Sequence, residues 1–278
     1  MKKIAALTMV RNDDFFLGKW ISYYGSLLGK DNLFIFFDGE DQAVPSCTAG
    51  CHVEVIPRVA GNVRVSDKER IAVMSRKAAE LFSSYDMFIG SDVDEFLIVD
   101  PSLGVSLPQF LSDQKVKGNS FSGLGCDVIH NVEKEPELDK SLPLLGQRHY
   151  VRLSPRYTKT SVLCAPVQWG SGFHRTRKGD FRILPGLYLF HFGCADTSFI
   201  GQKLQDTDLS SRGWDRHLKK RRHLIDDLPS LEVKSWEEWA PKARKIQTWV
   251  RLPYTPNKPS MFGKKVIVAL PERFFGIV

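Results

Sequence analysis

Apolar and polar positions along the first hundred residues fall into short blocks of alternating character. Ile4–Val10 ("IAALTMV") is a brief apolar run that ends at charge, the pattern of a buried strand. After the polar step "RNDD", residues Phe16, Leu17, Trp20, Ile21, Tyr24, Leu27 and Leu28 recur at spacings of one, three and four. That spacing predicts an amphipathic helix ending near Gly29. "LFIFF" (Leu33 to Phe37) reads as a second buried strand stopped by "DGEDQ", and "HVEVI" as a third. Ser66 with Glu69 three positions later has the form of a capping box, predicting a helix from there to about Ser83. "DMFIGSD" is the next strand. Strand and helix alternate throughout, so the expected architecture is α/β: a mostly parallel, Rossmann-like sheet flanked by helices.

Beyond Asp100 the pattern changes. Short candidate strands ("SFSGLGCDVI", "HYVRL", "SVLC", "LYLFHF") are separated by charged or Gly/Pro-bearing loops. From about Asp196 the chain reads as mainly helical, with Trp214, Trp236, Trp239 and Trp249, and "KKVIVAL" is a late strand. The expected organisation is a main domain over residues 1–196 and a basic, Trp-rich, mainly helical extension over residues 197–278. Neither an internal repeat nor a low-complexity segment is present.

Composition adds bounds rather than detail. The 278 residues suit one large domain, or one with a smaller appendage, and 42% hydrophobic with 26% charged residues is ordinary for a globular protein. No apolar stretch approaches the roughly 18–20 residues that span a bilayer. "MKKIAALTMVRNDD" carries the two lysines of a signal peptide, but its apolar part is short and runs into charge, so it is taken as the first strand and a cytoplasmic location is expected. Five scattered cysteines argue against a disulfide framework. Cys47, Cys51 and His52 make half of a zinc clip at most, because no second ligand pair follows at a suitable spacing. The net charge of +7 favours anionic partners. Its densest run, "RHLKKRRH" (Arg216 to His223), is read first as a solvated helix face and second as an attraction to anionic lipid headgroups. No RNA- or DNA-binding motif accompanies it, so no nucleic-acid partner is expected.

In open α/β sheets, ligands bind beyond the carboxyl ends of the strands. Three polar clusters stand at such ends: "RNDD", "DGED" and "SDVDE". The last is the densest, with Asp92, Asp94 and Glu95 between "MFIG" and "FLIV". In an extended segment Asp92 and Asp94 point to one face. Two carboxylates so close are tolerated if one is protonated or a cation lies between them. Mg²⁺ and Mn²⁺ suit such oxygen ligands and commonly share themselves with substrate phosphates. The bland alternative is an acidic turn between two strands.

"DVDEFL" after an apolar strand resembles the Asp-x-Asp element of metal-dependent GT-A fold glycosyltransferases, in the family-2-like and family-92-like branch. "MVRNDDFFLGKWISYYGSLLG" and "FIFFDGEDQ" fit that branch's first and second strand ends, in the expected order. The likeness is good over residues 4–100, patchy to about 196 and absent beyond. It implies a GT-A-like sheet and transfer of a hexosyl-type sugar from a nucleotide-diphosphate donor, UDP-sugar favoured, to a glycan or lipid-linked acceptor. By the same analogy the product would be a surface polysaccharide or lipopolysaccharide, made in the cytoplasm or peripherally at the inner membrane face. The resemblance puts Arg11, Asn12 and Asp13 by the base and ribose, and Asp38 and Asp41 at the edge of the nucleotide pocket. It gives Mn²⁺ or Mg²⁺ to Asp92 and Asp94, with Asp92 also contacting the ribose–diphosphate and Glu95 supporting both. Asn12 has an equal alternative as a helix N-cap, and Asp38 as a turn residue before Gly39. His191, ending the apolar run "LYLF", is favoured as a further metal ligand over His174, which with Arg175 and Arg177 is assigned to the diphosphate or acceptor. Asp127 in "GLGCDVIHN" is the candidate general base of an inverting transfer. The family's usual acidic element for that role is not clearly present. A metal-dependent nucleotidyltransferase or phosphohydrolase is the alternative, because it would use the same Asp pair.

Overall fold

The computed structural model describes the chain except residues 59–60, 116–117, 178–181 and 253–254. Its first half alternates as the apolar blocks require: β1 (Ile4–Val10), α1 (Asp14–Leu28), β2 (Leu33–Asp38), β3 (His52–Ile56), α2 (Val63–Leu81) and β4 (Met87–Gly90). These strands form a parallel unit in the order β3-β2-β1-β4. β1 and β2 lie inside it and are buried at every position, so they carry unbroken apolar runs rather than alternation.

Helix α1 lays Phe16, Leu17, Trp20, Ile21 and Tyr24 on the sheet. Its N-cap is Asp13, whose Oδ1 accepts from the Phe16 N–H at 3.3 Å. The cap therefore belongs to Asp13 and not to Asn12, which sits one residue earlier with a positive φ of 49°. A similar correction holds for α2. It begins at Val63, where the Asn62 side chain accepts from the Val65 N–H at 3.2 Å, so Ser66 lies inside the first turn and the Ser66/Glu69 pair is not the cap.

Then follow β5 (Glu95–Val99), α3 (Leu107–Ser112), β6 (Ser120–Ile129), β7 (Tyr150–Leu153), β8 (Val162–Leu163) and β9 (Ile183–Cys194). Two-residue β8 pairs antiparallel with both β4 and β6, extending the parallel unit into a mixed region. β9 runs parallel to β6 and antiparallel to β5. The result is an α/β fold with an eleven-stranded sheet, parallel on one side and mixed on the other.

The last part supplies α4 (Thr197–Gln205), α5 (Thr207–Ser211), α6 (Asp215–Asp227), β10 (Val233–Lys234), α7 (Trp236–Trp249), the hairpin β11 (Arg251–Leu252) and β12 (Thr255–Pro259), and β13 (Ile267–Ala269). β13 adds to the sheet against β7. Trp236 packs on Tyr188, Phe190 and Phe274, which settles it as core; Trp249 is exposed. No helix among the described residues is long and apolar enough to cross a membrane.

Candidate functional site

The apolar run around Asp92 is not one strand. β4 stops at Gly90, and Glu95 N–H bonds back to the Asp92 carbonyl at 3.0 Å, so Ser91–Asp94 is a tight turn and Glu95 opens β5. The two aspartates are therefore not paired by strand alternation. The first strand and first helix hold the turn in place. Thr8 Oγ1 donates to the Ser91 carbonyl at 2.9 Å, and Trp20 Nε1 to Ser91 Oγ at 3.0 Å. Tyr24 Oη accepts from the Leu97 N–H at 2.8 Å, just beyond the turn. Gly90 has no space for a side chain: a Cβ there would lie 2.6 Å from Phe173 and 2.7 Å from Trp169.

Strand register assembles the rest. Glu95 on β5 stands opposite His191 on β9, and His191 stands opposite Asp127 on β6. One row across three strands thus carries a carboxyl, an imidazole and a carboxylate. Asp127 Oδ1 lies 2.6 Å from His191 Nδ1, and both side chains are buried. A carboxylate can only accept, so Nδ1 carries the proton and Nε2 presents its lone pair. That nitrogen lies 3.6 Å from Asp94 Oδ2. Burial depresses the His191 pKa, although Asp94 and Asp127 act against it. The Tyr157 ring stacks on the imidazole at 3.8 Å between centroids.

Lys159 is a component that the sequence did not disclose. Its Nζ is buried between Asp92 Oδ2 at 2.9 Å and Glu95 Oε1 at 2.6 Å. Despite burial, these two carboxyls raise its pKa, so the ammonium is charged. Burial is likewise outweighed at Asp92, which Lys159 and Arg70 hold well below the usual range. Burial instead wins at Glu95, whose pKa is pushed up to about 8. One lysine cation, one carboxylate and one protonated carboxyl give a trio without net charge, a composition that a buried site tolerates. The lysine reaches it because Gly125 on β6 lets the Ser154–Lys159 loop touch the sheet. A Cβ at Gly125 would lie 2.3 Å from the backbone of Tyr157 and Thr158. Arg221, on α6, is the second undisclosed component; its Nη2 lies 3.3 Å from His191 Nε2. The available signal was its spacing from Leu218, Leu224 and Ile225, which puts it on the helix's buried stripe rather than with the exposed charges.

Arg11, Asn12, Asp38 and Asp41 form a neighbouring cluster. Arg11 grips Asp41 through two bonds of 2.7 and 2.8 Å and also donates to the Asp38 carbonyl at 2.9 Å. The Asn12 N–H donates to Gln42 Oε1 at 2.9 Å. The loops after β1 and β2 are thereby fastened to each other. Asp38 is buried and ion-paired with Arg58, with Arg70 at 3.8 Å. Its carboxylate serves this clamp, while its backbone carbonyl accepts from Arg11 and, at 3.0 Å, from Gln42 in the turn at Gly39. Asp13, besides capping α1, lies 3.4 Å from Lys203 of α4; burial raises its pKa. His174 is half-buried, and burial together with Lys159, Lys258 and Arg156 lowers its pKa well below the ordinary value. Asp127, the candidate general base, is buried and hydrogen-bonded to His191.

Among the described residues no three or more His, Cys, Asp or Glu side chains converge as a metal-binding group. Asp94 and His191 do fit a divalent cation as a pair. The imidazole is neutral, its tautomer is fixed by a carboxylate behind it, and its lone pair faces a carboxylate oxygen. Asp92 is held back by Lys159.

No protein-family model matches the chain, and no curated protein matches it. Among solved structures, a mannose-1-phosphate geranyltransferase from Thermus thermophilus matches over 96% of this chain and 74% of its own, at 10% identity and a TM-score of 0.30. A CMP:2-keto-3-deoxy-manno-octonic acid synthetase complexed with CTP matches over 80% of this chain and 86% of its own, at 14% identity and a TM-score of 0.27. Superpositions this loose define no family, and the α/β assignment stands on the strand order itself.

Proposed function

We propose that the chain is a glycosyltransferase that moves a sugar from a nucleotide-diphosphate donor, UDP-sugar favoured, to the hydroxyl of a glycan or lipid-linked acceptor. The observation that carries this reading is the pairing of Asp94 with the Nε2 lone pair of His191, fixed by Asp127, beyond the carboxyl end of a parallel sheet. Asp94 and His191 would hold Mn²⁺ or Mg²⁺. When bound, that ion would neutralise charge on the leaving diphosphate. Asp127 is a positioning residue, keeping imidazole Nε2 unprotonated and aimed. Lys159 fixes Asp92 at the rim of the turn, where its carboxylate can meet the ribose. His174, Arg175 and Arg177 remain assigned to diphosphate or acceptor. Surface polysaccharide or lipopolysaccharide synthesis, with peripheral contact at the inner membrane face, is the setting this reading favours.

Product analysis tests it. UDP-, GDP- and CMP-sugars are incubated with Mn²⁺ and simple saccharide acceptors, and products are identified by mass. An intact sugar–acceptor product, with release of the nucleoside diphosphate or, from a CMP-sugar, CMP, is the expected result. Release of pyrophosphate from a nucleoside triphosphate and a sugar phosphate would replace this reading with nucleotidyl transfer.

A further inference from the structure

Arg221 stands out from the basic run that contains it. Arg216, Lys219, Lys220, Arg222 and His223 are exposed, and Arg222 pairs with Asp226 on the same helix at 3.0 Å. Arg221 turns inward and is half-buried. Its seat is made by Gly193, two residues after His191, where a Cβ would lie 2.6 Å from Arg221 Nη1. A guanidinium has five donors and no acceptor. Among the described residues this one makes a single hydrogen bond, to His191 Nε2. It therefore uses the same lone pair that faces Asp94, and one lone pair serves one partner at a time.

Resting on the reading above, we propose that Arg221 is a displaceable arm of the donor site. Without ligand, its guanidinium covers the His191 lone pair. A divalent cation at Asp94 and His191 takes that lone pair, and the freed guanidinium turns to the donor's phosphates, which accept its fork of donors. Cation and nucleotide then bind cooperatively. The cation alone must displace Arg221, whereas the nucleotide offers the displaced group a new partner. The basic helix α6 thus contributes one charge to donor binding and leaves its exposed charges for other contacts.

Calorimetric titration of the full chain tests this with two probes: Mn²⁺ alone, then the nucleoside diphosphate that the protein selects, expected to be UDP, at saturating Mn²⁺. Arg221→Met should bind Mn²⁺ alone about tenfold more tightly and the nucleotide about tenfold more weakly, the span of one charge-assisted hydrogen bond. Arg222→Met, exposed on the same helix, should change neither constant and controls for damage to α6. An Arg221→Met protein that melts like the wild type yet binds Mn²⁺ with unchanged or weaker affinity would overturn the proposal alone. A wild type that binds Mn²⁺ neither with nor without nucleotide would instead overturn the metal-site reading on which it rests.

Discussion

Two acidic turns follow β2 and β4, the strands on either side of β1, and they are treated differently. After β2, Asp38 is met by Arg58 and Arg70, and Asp41 by a two-pronged Arg11. After β4, Asp92 is met by Lys159, but Asp94 has His191 as its nearest partner at 3.6 Å and feels Lys203 and Arg221 only from farther away. Among the described residues no lysine or arginine lies within ion-pairing distance of Asp94. Similar sequence, "DGED" against "SDVDE", therefore yields one cluster neutralised by the protein itself and one that keeps a carboxylate in reserve. A dense acidic motif marks a candidate; the carboxylate without an ion-pairing lysine or arginine is the one the proposed site uses.

The joint largest effect should come from removing the cation of the second turn. Lys159→Met removes the ion pair to half-exposed Asp92 and, among the described residues, the only cation beside buried Glu95, and should cost about 3 kcal/mol in urea unfolding. A loss below about 1 kcal/mol would mean that the trio is solvated. Asp38→Asn should cost about 3 kcal/mol, since Arg58 and Arg70 lose their buried partner, while Mn²⁺ affinity of the folded protein stays the same. Weakened Mn²⁺ binding there would erase the contrast between the turns.

Asp127→Asn should keep the fold and weaken Mn²⁺ binding about tenfold or more, as loss of a carboxylate behind a ligating histidine does. A change in turnover without a change in metal affinity would restore Asp127 as a direct base. The smallest effect concerns Asp100, at the end of β5, which Arg273 grips at 2.7 and 3.0 Å. Burial opposes ionisation of Asp100, but Arg273 lowers its pKa below 3.8. Its folded value is depressed, so the stabilisation is present above about pH 4 and lost as pH falls through the folded value. The stabilities of Arg273→Ala and wild type from thermal melts should differ by about 1 kcal/mol at pH 6, and the gap should shrink below pH 3.8 and close once Asp100 is protonated in the folded wild type. A gap that persists in acid would assign the effect to packing.

The parallel unit was legible because its signals are local. Buried runs such as "IAALTMV" and the spacing of Phe16 through Tyr24 each name their element without reference to the rest of the chain. Local signals also competed: Ser66 with Glu69 imitates a cap, yet Asn62 fills that role. Glu95, His191 and Asp127 were each singled out, but their alignment in one row was not legible, because they come from three strands whose register depends on pairings between distant segments. Lys159 lay in the unremarkable "TKTS", and the reason it reaches Asp92 is a missing side chain at Gly125, far earlier in the chain. Arg221 was hidden by its neighbours' charge.

The most direct test of the contrast between the turns is nucleotide binding by calorimetry, with and without Mn²⁺, on wild type, Asp94→Asn and Asp41→Asn. Mn²⁺-dependent binding that falls at least about a hundredfold in Asp94→Asn, and stays within about threefold of wild type in Asp41→Asn, is the predicted result. Equal losses in both variants, or binding that ignores Asp94, would contradict the assignment of the site to the turn after β4.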